Sequence, residues 1–123
     1  MKHEKLVQQW FGKWESGDFI NLPLSDDFTH SSPYGTIKGK SAYLNLIKAN
    51  REKFLGHRFE IHEELYGKNK ACVRYTAIQG NFRQDVSEWY HFSNGLISEI
   101  IAYYNIEGDI SEDRKLKDPS HYK

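Results

Sequence analysis

The chain predicts an α+β fold: a strongly curved, mainly antiparallel sheet, wrapped as a cone-shaped barrel around three N-terminal helices. Three observations carry this expectation. Leu6, Val7, Trp10, Phe11 and Trp14 recur at helical spacing, with Lys, Gln and Glu between them. After Gly56 the period changes to two, and Phe59 and Ile61 alternate with Glu60 and His62. The run from Val86 to Tyr104 reads as two long apolar strands about Ser93-Asn94-Gly95, a hairpin that walls a pocket. Helices followed by strands in this order cover one face of a sheet, and the open end of a cone is a pocket.

Taken in order, the first helix stops at Ser16-Gly17. Asp18 can cap a second, short helix through Phe19, Ile20 and Leu22, which Pro23 ends. Ser25-Asp26-Asp27 reads as a turn. Phe28, His30 and Ser32 then alternate with Thr29 and Ser31 as a short strand, broken by Ser32-Pro33-Tyr34-Gly35. A third helix begins near Ser41 with Tyr43, Leu46, Ile47, Asn50 and Phe54 on its inner stripe, and Gly56 is its C-terminal cap. Four antiparallel strands follow, with a turn at Gly67 to Lys70. Residues 1–107 form the single domain, and the polar tail at 108–123 is assigned no function.

The 17 basic and 17 acidic residues balance to a net charge of +0, with no basic stripe, which argues against nucleic-acid binding. No apolar run approaches the roughly 18–20 residues that span a bilayer. Cys72 is the only cysteine, so a reducing, cytoplasmic location is expected. The six His residues are scattered without ligand spacing, and no Gly-rich phosphate loop is present, so neither a metal nor a nucleotide cofactor is expected. Aromatics at 15% exceed what a minimal core needs and fit a cavity or an interface.

Three motifs in order carry a family resemblance: Gly17-Asp18-Phe19; Ser32-Pro33-Tyr34-Gly35 with Ile37-Lys38-Gly39; and Phe92-Ser93-Asn94-Gly95-Leu96-Ile97 leading to Ala102-Tyr103-Tyr104. Together they resemble the SnoaL-like branch of the nuclear transport factor 2-like superfamily, from about Glu4 to Glu107. The resemblance implies the cone fold. It does not imply one chemistry, because the fold hosts isomerases, cyclases, hydrolases, dehydratases and binders without activity. Ketosteroid isomerases of this fold carry an Asp where this chain has Ser32 and a Tyr where it has Trp10. Their second acid falls at Glu88. Epoxide hydrolases of the fold use an Asp where this chain has Ala102. Both activities are disfavoured, whereas a cyclase with a lone acid/base in an apolar cavity is compatible.

Glu88, flanked by Val86, Trp89 and Tyr90, is the leading catalytic candidate: a carboxyl facing a dry cavity gains a raised pKa and works near neutrality. The alternative is a rim carboxylate paired with Arg74 or Arg83. His30 shares a face with Ser32 and is the second acid/base candidate, as a shuttle or partner of Glu88; otherwise it is a hydrogen-bonded wall residue. Ser32 is suited to donating a hydrogen bond to a ligand. Trp10, Trp14, Tyr90 and Tyr104 are read as lining for a small apolar molecule, against the alternative that they are simply core. Arg74 is placed outward, because Ala71, Val73, Tyr75 and Ala77 make the more apolar face of its strand.

The hairpin register decides which residues face the pocket, since a slip of one residue exchanges the second strand's faces. A three-residue loop, with Gly95 left-handed and Phe92 opposite Leu96, puts Glu88, Tyr90 and Phe92 with Leu96, Ile100, Ala102 and Tyr104. Trp89, His91, Ile97, Ile101 and Tyr103 are then left for a homodimer through the outer face, which in this fold often makes the dimer. Two functions follow: a cofactor-free isomerase, cyclase or lyase, or a non-catalytic ligand-binding or dimerisation module.

Overall fold

The computed structural model describes residues 2–106; the tail at 108–123 lies outside them. Helix α1 (Lys2–Ser16) buries Val7, Trp10, Phe11 and Trp14 on one stripe. It ends at Gly17, whose φ of 80° is left-handed. The Asp18 N–H reaches back to the Lys13 carbonyl (2.9 Å) and the Gly17 N–H to that of Trp14 (3.4 Å), the paired bonds of a Schellman stop. This is why the expected helix at Asp18 does not form. Asp18 is used in ending α1, and its carboxylate accepts from Lys13 Nζ at 3.0 Å and Asn21 Nδ2 at 2.9 Å instead of capping a new turn.

Strand β1 (Leu24–Ser32) begins earlier than expected. Ser25-Asp26-Asp27 is an irregular stretch inside it, where the register against the neighbouring strand shifts between Leu24 and Thr29. Ser32-Pro33-Tyr34-Gly35 does break β1, but into a hairpin: the short strand β2 (Gly35–Lys38), not anticipated, pairs back with Ile37 opposite His30. The long helix expected from Ser41 divides at Asn50 into α2 (Lys40–Ala49) and a single turn, α3 (Arg51–Phe54). Among the described residues three helices are therefore present, though not the three expected.

Strands β3 (Arg58–Tyr66), β4 (Lys70–Gln79), β5 (Phe82–Ser93) and β6 (Leu96–Tyr103) complete one six-stranded sheet in the order β2-β1-β6-β5-β4-β3. All pairings are antiparallel except β1 with β6. The sheet stays open, with β2 and β3 as its edges, and does not close into a barrel. Trp10 and Phe11 of α1 belong to the same buried cluster as Tyr75, Val86, Tyr90, Ile100 and Ala102, the inward residues of β4, β5 and β6. Arg74 points outward, as expected, and pairs with Glu63 at 2.7 Å.

The hairpin differs from its expected register in one instructive way. The connection is the two-residue turn Asn94-Gly95, both left-handed (φ 52° and 77°), with Ser93 opposite Leu96. Phe92 faces Ile97, not Leu96, so Ile97 is fully buried and Leu96 is exposed. A bulge then leaves Ser98 unpaired between Ile97 and Glu99, its hydroxyl donating to the His91 carbonyl at 3.2 Å. Beyond it Tyr90 faces Ile100 and Glu88 faces Ala102, two residues further along β6 than Phe92 opposite Leu96 would set them, so these residues share the pocket face as expected but in a different register. The extra residue is real but sits in the strand, not in the loop, and Ile97 is removed from the outer face.

Candidate functional site

Between α1, α2 and the inner face of the sheet lies a cavity of about 770 Å³. Trp10, Trp14, His30, Ser32, Glu88 and Tyr104 all line it. Tyr90 does not: it is fully buried behind Glu88 and acts on the carboxyl rather than on the cavity.

Glu88 is 4% exposed at the middle of β5, between Val73 of β4 and Ala102 of β6. Tyr75 Oη donates to its Oε2 at 2.9 Å, and Tyr90 Oη donates to its Oε1. The Trp10 indole N–H also favours its charged form. Among the described residues no cation compensates it. Arg74 and Arg83, its alternative partners by sequence, are engaged outside by Glu63 and Glu60. Burial raises the Glu88 pKa above the ordinary carboxylate range, and the Tyr90, Tyr75 and Trp10 hydrogen bonds draw it only part of the way back. Burial also pushes the Tyr75 and Tyr90 phenols up, with Glu88 adding to it, so both remain protonated donors.

His30 projects from β1 and stacks on Tyr43 with ring centres 5.0 Å apart. Burial lowers its pKa to about 4, so the imidazole is neutral at pH 7. No hydrogen bond joins it to Glu88 among the described residues; the two face one cavity from different strands. The Ser32 hydroxyl accepts the Tyr34 N–H at 3.2 Å and lies beside the Tyr104 phenol. Trp14 Nε1 is buried without an acceptor. An orphaned donor of this kind costs about 1–3 kcal/mol. Among the described residues no three His, Cys, Asp or Glu side chains converge as a metal site would require.

Two site residues escaped the sequence. Tyr75 was visible only as one more member of the apolar face of β4. The signal was its phenol, which a face of Ala and Val does not need, and its position diagonal to Glu88 across β4 and β5. Tyr43, on the inner stripe of α2, is buried with its pKa raised by burial and then by Glu88, and so belongs to the same aromatic wall.

A curved-sheet α+β cone, with helices over its concave face and one unpaired carboxyl at the cavity floor, defines the class. The chain belongs to the SnoaL-like domain family, which it matches over residues 7–100. Solved structures share this fold. A candidate ketosteroid isomerase from Kribbella flavida superposes with a TM-score of 0.73 at 16% identity, over 96% of this chain and 90% of that one. A candidate polyketide cyclase from Xanthomonas campestris pv. campestris gives 0.69 at 14% identity, over 85% and 90%. A de novo designed protein with a curved β-sheet gives 0.70 at 19% identity, over 85% of each chain. At such identities the likeness is one of fold, and the designed protein shows that this cone can be built apart from any natural activity. No functionally curated protein matches the chain. Among the described residues no helix is long and apolar enough to cross a membrane.

Proposed function

We propose that the protein takes a small, flat, largely apolar molecule into the cavity and acts on it without a cofactor, as an isomerase, cyclase or lyase working by acid/base chemistry at Glu88. The observation that carries this reading is a buried carboxyl beside an open cavity with no cation among the described residues to neutralise it. A carboxyl whose pKa is raised toward neutrality is a stronger base when charged and still holds its proton for acid catalysis when neutral. Tyr75, Tyr90 and Trp10 hold it in one orientation. Their protons are directed at Glu88, so these donors position the base, and the ring of Trp10 is left to face the ligand.

In this reading Glu88 removes a proton from carbon next to a ligand carbonyl and returns it elsewhere on the same molecule. The developing oxyanion needs donors on another wall, and the Ser32 hydroxyl, the Tyr104 phenol and the neutral His30 imidazole are the candidates. Trp10 and Trp14 flank the flat body of the ligand. Ser32 in place of a carboxylate base, and Ala102 in place of an Asp, keep ketosteroid isomerisation and epoxide hydrolysis outside this reading.

The test is base-catalysed exchange of the acidic CH₂ protons of 2-tetralone in D₂O, followed by NMR. Wild type exchanges them well above the buffer rate, and Glu88→Gln loses roughly 10²–10⁴-fold of the enhancement. No enhancement by the wild type removes the catalytic reading.

A second reading, a binding or dimerisation module, draws on the outer face. The register places Leu65, Cys72, Trp89 and Ile101 side by side on four successive strands, an apolar row across the sheet. Leu65 is 74% and Trp89 41% exposed, and Tyr103 stands beside the row. His91 pairs with Glu99 at its margin. A second copy of this chain would bury such a row under a charged rim. Sedimentation of a dimer that Trp89→Lys converts to monomer is the expected result; a monomer at tens of micromolar excludes it. The free thiol of Cys72 fits a reducing, cytoplasmic setting for either reading.

A further inference from the structure

The cavity has a second electrostatic feature, at the end away from Glu88. Lys53, on α3, is part of its wall and has no acidic partner among the described residues. Apart from the imidazoles, it and Glu88 are the ionisable acid and base of opposite sign in the lining.

The two stand far apart. Gln79 Nε2 donates to the carbonyls of Lys53 (3.3 Å) and Leu55 (2.6 Å), which ties α3 to the last residue of β4. Glu88 pairs with Val73 on the same strand. From Val73 to Gln79 is six residues, about 20 Å along a strand. Two neighbouring charged groups are engaged elsewhere, while Glu52 on the same turn is exposed. Arg51, on the same turn, lies over the Phe19 ring at 5.4 Å, and the Glu15 carboxylate accepts the Phe59 N–H at 3.2 Å. His57 Nδ1 bonds the Phe54 carbonyl at 3.1 Å, and a carbonyl only accepts, so that nitrogen carries the proton and Nε2 is left free. The orphaned Trp14 N–H belongs to the same end, since its ring packs on Phe54 at 5.4 Å.

We infer that the ligand is an anion: a flat apolar body whose carboxylate, or a group of like charge, is held by Lys53 at the rim, while its reacting end lies at Glu88. This rests on the pocket reading above and names the substrate class for it. Polarity sets the orientation. An anion lodged at the floor would meet the Glu88 carboxyl, which has no cation beside it among the described residues, whereas at the rim it meets the exposed Lys53. The opposite charges at the two ends admit one orientation of such a ligand and disfavour the reverse.

The experiment compares two probes of the same shape, 2-naphthoate and 2-naphthamide, at pH 7.5, with dissociation constants from ¹H–¹⁵N NMR titration. Wild type binds the carboxylate roughly 5- to 10-fold more tightly than the amide. Lys53→Gln, a change at an exposed position, brings the two within about twofold of each other and leaves the amide unchanged, the scale of a single partly exposed ion pair. If the amide binds as tightly as the carboxylate, or if Lys53→Gln leaves the preference intact, the anion inference is overturned while the pocket stands. If neither probe perturbs resonances of the cavity wall, the pocket reading falls with it.

Discussion

The two faces of β4 and β5 are built from the same strands and treat charge in opposite ways. Outward, charged side chains of the sheet find partners in water's reach: Arg74 with Glu63, Arg83 with Glu60, His91 with Glu99, and Asp85 with the Thr76 hydroxyl. Inward, Glu88 has no counter-ion among the described residues, only the phenols and an indole. Outer pairs are cheap to lose and contribute little. The inner carboxyl is costly to keep charged, and the fold retains it under an open cavity. A group that opposes stability and has a ligand-sized space beside it is better explained by chemistry than by folding.

The sharpest way to break this contrast is to cut one aromatic from each face at adjacent positions. Tyr90→Ala removes a fully buried ring that also holds Glu88, and urea denaturation is expected to show a loss of about 3–5 kcal/mol. Trp89→Ala, one residue away and 41% exposed, is expected to cost the monomer no more than about 1 kcal/mol. Equal losses would mean that the outer face is as much a core as the inner one.

Acid stability tests the inner face next. His30 has its pKa lowered to about 4 from 6.5 by burial, so the unfolded chain takes up the proton first as pH falls. Its contribution is therefore present above pH 6.5 and lost between about 6.5 and 4, at most about 3 kcal/mol. His30→Gln should flatten that limb of the stability–pH curve relative to wild type. A curve of unchanged shape would place His30 in water.

Glu88 works in the other direction. Its folded pKa is raised, so the native state favours the proton and stability falls as pH rises from the ordinary carboxylate range through the folded value. Glu88→Gln does not titrate, so its melting temperature should gain on wild type as pH increases and lose that advantage in acid. The measurement is thermal unfolding of both proteins from pH 4 to pH 8. A constant difference would show that the carboxyl is not desolvated.

Where the sequence was legible, local chemistry and burial agreed. The α1 stripe, the outward Arg74 and the inward Glu88 all follow from period and polarity. Where it was not, two physical solutions shared one pattern. Asp18 is as good a residue for finishing one helix as for starting the next, and only the bond from its N–H to Lys13 distinguishes them. Ser93 to Ser98 shows the same ambiguity. Burial demands one extra residue to put Ile100 and Ala102 on the face of Tyr90 and Glu88, and a loop or a bulge restores that face alike, in registers two residues apart. Asn94-Gly95 is the stronger hairpin signal, and the extra residue moves into the strand at Ser98. Strand β2, only Gly35–Lys38, is too short to carry a period at all. At the site, Glu88 stood out because a carboxyl interrupts an apolar face. Tyr75 did not, because a phenol passes for a hydrophobe until its hydroxyl is seen to meet that carboxyl.

The smallest effect is the control for all of these. Arg74 and Glu63 make a close pair at 2.7 Å, yet their side chains are 55% and 70% exposed. Coulomb attraction at that separation is strongly reduced by solvent, and holding two long side chains in one geometry costs rotamer entropy. Arg74→Ala should therefore change the urea midpoint by no more than about 0.5–1 kcal/mol, and added salt should shrink even that. Should Arg74→Ala cost several kcal/mol instead, the arginine would be compensating a charge within the cone. Glu88 is the one candidate for that charge, and it would then be a structural ion pair rather than a group held ready for chemistry.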